Sequence, residues 1–165
     1  MKGGSPVAAS RGDSGGREAA DLRIAILAAR FNAEITDSLV SGAKRALLER
    51  GAAATEVETI RVPGAWELPQ AAARAAEAER FDGIIALGCV IRGETPHFEF
   101  VCTEATLGLG AVARTARIPV AFGVLTTDDL AQARARAGDD DDNKGYESAL
   151  AVLEMIKVYR RLGVG

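Results

Sequence analysis

The sequence has few of the residues from which metal and thiol chemistry are built: its 165 residues include one histidine and two cysteines. Cys89 and Cys102 lie inside apolar segments, which excludes a disulfide framework and a Cys/His zinc site and predicts inert, buried thiols. No apolar run approaches the ~18 residues of a membrane span. The first residues also lack the long apolar stretch of a secretory signal, so a soluble, cytoplasmic protein is expected. No GxxxxGK[ST] phosphate loop, GxGxxG after a first strand, HExxH or GxSxG elbow is present, which leaves hydride transfer and NTP hydrolysis without their usual support. Neither sign of charge dominates. With 26% charged residues, scattered along the chain, and a net charge of -3, a dedicated nucleic-acid binder is not expected.

What is present is apolar and regularly spaced. Residues with apolar side chains make up 48% of a chain the size of one ordinary domain, enough for a sizeable core. Residues 1–20 hold five glycines, three serines and a proline but no aromatic, a composition expected to stay disordered, and a single domain is expected over 21–165. Apolar runs then alternate with amphipathic stretches in the manner of βαβ units. Four strands are predicted: Arg23 to Ala28, Glu56 to Val62, Gly83 to Val90 and Pro119 to Leu125. The first, third and fourth are nearly continuous apolar runs, as expected of a parallel sheet covered on both faces.

Between the strands the period becomes helical. Thr36 and Asp37 are candidate caps for a helix over about 38–50 that stops at Gly51. An Ala-rich helix is expected over Trp66 to Arg80, and a long one along Phe98, Val101, Cys102, Ala105, Leu109 and Val112. A short helix over Thr127 to Ala137 and a last one capped by Asn143 complete an α/β chain without repeats.

In open parallel sheets ligands bind beyond the carboxyl ends of the strands, so the loops there carry the chemistry. Ala29-Arg30-Phe31-Asn32 places an aromatic where a strand has just ended, either as a core anchor or as a ligand plate. Val62 to Pro69 runs through a Pro63-Gly64 turn into Trp66 and Glu67. The free amides of a helix start can dock a polar group there, or Glu67 can simply complement the helix dipole. Gly88 to Phe98 leads from a buried strand past Gly93 and Thr95, whose amides can bind an anion, to the lone His97 at a helix start. Histidine exchanges protons near neutral pH, although capping and packing are the commoner uses of one at such a place. Arg134 to Gly145 combines cations with the acidic turn Asp139 to Asp142, either a solvated connection or, through arginine, a phosphate contact.

Taken together, Ala29 to Asn32, Val62 to Pro69, Gly88 to Phe98, Phe122 to Thr126, and Arg136-Ala137-Gly138 with Asn143-Lys144-Gly145 resemble the lumazine synthase family, in order and at family spacing over about residues 22–162. The resemblance implies a flavodoxin-like three-layer α/β/α sandwich with a four-stranded parallel sheet. It implies condensation of 5-amino-6-(D-ribitylamino)uracil with 3,4-dihydroxy-2-butanone 4-phosphate, releasing phosphate and water, in riboflavin biosynthesis. No metal or organic cofactor is implied. Phe31 would stack on the pyrimidine beside Ala65 and Trp66, the backbone of Cys89, Val90 and Ile91 would read its edge, and Glu67 would bind the ribityl hydroxyls. Gly93, Glu94 and Thr95 would form the phosphate site with Arg136 of a neighbouring subunit, which would also bring Phe122 to the uracil and ribityl side of the site and Lys144 as a further site residue. His97 would move protons.

The resemblance further implies a pentamer with sites between subunits. The short turn between Gly138 and Asn143 is similar to that of members in which twelve pentamers close into an icosahedral 60-subunit shell, and riboflavin synthase is the partner such assemblies bring into view. Two features depart from the family pattern: Trp66 stands where Phe is frequent, and Asp139 to Asp142 replace a basic or neutral turn. The rival readings are a flavin- or pterin-binding scaffold of the same fold without turnover, and a doubly wound receiver or nucleotide-binding module. The latter would need an acidic cluster or a glycine-rich loop where Ala28-Ala29-Arg30-Phe31 stands.

Overall fold

In the computed structural model, which describes residues 16–164, the four apolar runs form one parallel sheet. Strands β1 (Ile24–Ala29), β2 (Val57–Val62), β3 (Gly83–Ile91) and β4 (Val120–Thr127) lie in the order β2-β1-β3-β4. Ile24 is in register with both Val57 and Gly83, so the strands start level and their carboxyl ends reach one edge.

Strand alternation divides the core in two. Ile24, Ile26 and Ala28 join one buried cluster and Ala25, Leu27 and Ala29 the other. Helices α1 (Ala33–Glu49) and α5 (Lys144–Arg161) cover the first face; α2 (Leu68–Glu77) and α3 (His97–Thr115) cover the second. The short α4 (Leu130–Ala135) connects β4 to α5. This is the expected three-layer α/β/α arrangement. The expectation of burial on both faces holds for β1 and β3. It fails for β4, which is an edge strand and leaves Phe122 43% exposed.

Helix boundaries differ where a tertiary contact outweighs a local signal. Helix α1 starts at Ala33, several residues before the expected position. Asn32 turns the chain with φ 59, a conformation asparagine tolerates, and its amide donates to the Cys89 carbonyl at 2.8 Å. Thr36 and Asp37 therefore lie inside the helix rather than capping it. Gly51, at φ 89, ends it as expected. Trp66 falls in a single 3-10 turn, Ala65–Glu67, ahead of α2. Thr127 is still strand, and α4 starts after Asp129, whose carboxylate accepts from the Gln132 amide at 2.8 Å. Asn143 caps α5 as expected, accepting from the Gly145 and Tyr146 amides. A Cβ at Gly145 would lie 1.9 Å from the Leu39 carbonyl oxygen, so the close approach of α1 and α5 requires glycine there.

Residues 1–15 of the expected tail lie outside the described residues. Packing begins before residue 21: Ala19 is fully buried and its amide donates to the Arg50 carbonyl at 2.8 Å, while Glu18 pairs with Arg50 and Lys157. A small apolar side chain and an ion-pair anchor secure this stretch, which composition averaged over twenty residues does not reveal. Among the described residues no helix is long and apolar enough to cross a membrane.

Candidate functional site

The ladder between β1 and β2 continues past both strands, with the Arg30 amide donating to Val62 and the Phe31 amide to Pro63, at 2.8 and 3.1 Å. Phe31 is thereby held beside the turn that leads into Trp66. The two loops and the end of β3 enclose a cavity of about 530 Å³. Phe31 lines it from the first loop, Ala65, Trp66 and Glu67 from the second, and Cys89, Val90 and Ile91 from β3. Gly93, Thr95 and His97 line it from the loop after β3 and the first residue of α3.

The two aromatic side chains of the cavity lie at the surface rather than in the core. Phe31 is 72% exposed and Trp66 50%, which removes the core-anchor reading of Phe31. Glu67 uses one carboxylate oxygen to accept from the Gly64 amide at 2.9 Å, so it closes the turn and lines the cavity as well. Strand β3 runs beyond its pairing with β1, which stops at Leu87. From Gly88 onward that side of its backbone leaves the ladder, and the Cys89 carbonyl is held by Asn32. Burial pushes the Cys89 thiol up to about 11, so it stays protonated at neutral pH and is no nucleophile. Cys102, on α3, is shifted the same way by burial.

Sequence reasoning gave Arg92 no role. Its guanidinium binds Asp128 at 3.0 Å, pairs with Glu99 and lies 4.3 Å from the centroid of the Phe98 ring. It joins the first turn of α3, where His97 sits, to the corner after β4, and holds the Glu99 carboxyl below the usual carboxylate range. No motif flags such a residue. Its partners lie on two elements and only the fold brings them together.

Four of the site candidates stay outside the cavity. Glu94 is exposed on its loop. Phe122 and Lys144 line a separate hollow of about 330 Å³ between β4 and α5. Arg136 lines neither; it is exposed and donates to the Gln132 carbonyl at 3.0 Å. Its own carbonyl accepts from the Lys144 amide at 2.9 Å, so the two cationic residues are linked through the backbone.

Comparison with known proteins decides the family. The model of the 6,7-dimethyl-8-ribityllumazine synthase family matches residues 21–160. The 6,7-dimethyl-8-ribityllumazine synthase of Nautilia profundicola is 51% identical over 140 residues, 85% of this chain and 91% of the relative. That of Campylobacter lari is 50% identical over 142 residues, 86% of this chain and 91% of the relative. The enzyme of Campylobacter jejuni subsp. doylei is 49% identical over 142 residues, 86% and 92% of the two chains. The chain belongs to the 6,7-dimethyl-8-ribityllumazine synthase family. The resemblance carried by the five segments is thus borne out, and with it a place among the transferases of riboflavin biosynthesis. The receiver and nucleotide-binding readings fall away. Of the five segments that carry the lumazine synthase signature, three meet in the cavity and two lie beyond it.

Proposed function

We propose that the cavity binds 5-amino-6-(D-ribitylamino)uracil and that the chain condenses it there with 3,4-dihydroxy-2-butanone 4-phosphate to give 6,7-dimethyl-8-ribityllumazine. The observation that carries this reading is the convergence of exposed Phe31 and Trp66, Glu67, the unladdered edge of β3 and His97 on one cavity in a member of this family. Phe31 stacks on the flat heterocycle, and the backbone of Val90 and Ile91 is placed to read its edge. Glu67 has a second carboxylate oxygen for the ribityl hydroxyls. The amides and hydroxyl around Gly93, Glu94 and Thr95 meet the phosphate at the start of α3.

The substrates bring their own reactivity. The uracil amine attacks the ketone, water leaves as the imine forms, phosphate is eliminated, and ring closure releases a second water. The protein holds the two reactants in line and moves protons, the role of His97. No covalent protein nucleophile is needed, in keeping with a protonated Cys89. The phosphate also needs a fixed cation, and Arg136 serves from a neighbouring subunit, which also brings Lys144 and, against the uracil or its ribityl chain, Phe122. That these residues stand outside their own chain's cavity supports a site shared between chains, and the family resemblance makes that assembly a pentamer or a multiple of it. The short turn after Gly138 favours closure of pentamers into a shell, and phosphorylated metabolites favour a cytoplasmic site of action. Incubating the protein with both substrates while following lumazine absorbance tests the reaction; absence of product would overturn it. Native mass tests the assembly.

A further inference from the structure

The acidic turn Asp139 to Asp142 has no place in the chemistry above and departs from the family pattern. The structure gives two of its residues a partner. Asp141 accepts from one terminal nitrogen of the Arg45 guanidinium at 2.9 Å, and the Asp140 carbonyl accepts from the other at 2.7 Å. Arg45 belongs to α1, nearly a hundred residues earlier, and its guanidinium carbon lies 4.4 Å from the centroid of the Tyr146 ring. The Tyr146 hydroxyl in turn donates to Glu49 at 2.8 Å. The fork is therefore fixed by a carboxylate, a carbonyl and an aromatic face together. At the near end of α1, Glu34 receives both a 2.7 Å and a 3.2 Å bond from Arg134. Arg136 lies between these two tethers along the chain, and its carbonyl accepts from the amide of Lys144, three residues past the second.

We propose that Arg45 is a positioning residue for catalysis: by gripping Asp140 and Asp141 it fixes the 136–144 segment so that Arg136 and Lys144 present their charges to the substrate phosphate in a neighbouring copy's cavity. The proposal rests on the assignment of Arg136 to that phosphate. Two physical effects act in the same direction. A planar guanidinium can hold a carboxylate and a carbonyl at once, which fixes the direction of a turn in a way a single contact cannot. A carboxylate paired with Arg45 also has its charge offset nearby, which lessens its repulsion of the phosphate. Asp141 is exposed and Arg45 half-buried, so the ion pair itself contributes little to global stability and its effect belongs in substrate binding rather than in Tm.

The test compares Michaelis constants (KM) for each substrate, and kcat, in Arg45→Ala, Arg45→Lys, Asp141→Asn, Arg136→Ala and Arg74→Ala. Arg74 makes a comparable exposed pair with Glu77 on α2 and serves as the control, with wild-type constants expected. Arg45→Ala should raise KM for the butanone phosphate about threefold to tenfold, leave that for the uracil unchanged, and speed hydrogen exchange of the Lys144 amide. Arg45→Lys should lie between, since lysine lacks the fork. Asp141→Asn should raise the same constant, whereas a turn that merely repelled phosphate would lower it. A wild-type constant in Arg45→Ala alongside a raised one in Arg136→Ala would overturn the proposal and spare the Arg136 assignment. A wild-type constant in both would overturn the assignment and the proposal with it.

Discussion

The two halves of the proposed site are made in different ways. The half holding Phe31, Trp66 and His97 is assembled within one chain, because β1, β2 and β3 are neighbours in level register and their following loops must converge. The half holding Phe122, Arg136 and Lys144 lies on and beyond the edge strand β4, outside the cavity, with Phe122 and Lys144 in the separate hollow against α5. A cavity with its own walls can be formed on folding. Under the proposed function a single chain supplies the heterocycle pocket and the Gly93 to Thr95 amides for the phosphate, and the cations Arg136 and Lys144 are added only by association with another chain.

The largest effect is expected in the self-contained half. His97→Ala should lower kcat by about 10- to 10⁴-fold, the range of general acid-base assistance, with KM for both substrates little changed. The remaining activity reflects orientation of two substrates that react with one another. Wild-type turnover would return His97 to capping or packing the start of α3.

Complementation addresses the contrast between the halves directly. Phe31→Ala damages the cavity and Arg136→Ala the outer edge, and each should be poorly active alone. If a site draws one half from each of two chains, dissociating and mixing equal amounts gives an intact chain on the required side half the time at each position. About a quarter of the sites should then be whole, with activity to match. Activity in the mixture no higher than in the separate variants would place both residues in a single chain's site, contrary to the proposed sharing between chains.

The unequal legibility of the sequence follows the same division. Apolar runs located all four strands to within one or two residues at most ends, because burial on a sheet leaves a period that needs no partner to be read. The Asn143 cap was legible for the same reason: the amides that donate to its side-chain oxygen lie only two and three residues on. The early start of α1 depends on Asn32 reaching Cys89, 57 residues away, and the exposure of Phe122 depends on β4 being an edge. The Arg45 and Arg134 tethers span 96 and 100 residues. Ion pairs at such separation leave no periodic trace. The site residues themselves were reached through the family motifs, and composition alone would have left Phe31 and His97 as ordinary packing.

A smaller effect is expected at the outer edge. Arg136→Ala should raise KM for the butanone phosphate, leaving that for the uracil near its wild-type value, because in the proposed role the guanidinium meets only the phosphate. Arg136→Lys should recover part of the loss as a point charge without the bidentate fork. An effect confined to the uracil substrate would contradict the phosphate role and move Arg136 to the other half of the site.

The smallest effect is expected at Asp139 and Asp142, which are exposed, while Asp140 and Asp141 carry the contacts to Arg45. Four adjacent carboxylates are costly to hold against an anion and hydrate easily, so the side chains without that tether should face water. Charges in that position act on a substrate phosphate only through solvent, where the Debye length at physiological salt is about 8 Å. Replacing both by asparagine should shift KM for the butanone phosphate by less than about twofold at low salt, a shift that moderate salt removes. A tenfold fall in that constant, persisting at moderate salt, would mean that the outer turn leans into the phosphate site. The two halves would then meet through an acidic contact as well as a basic one.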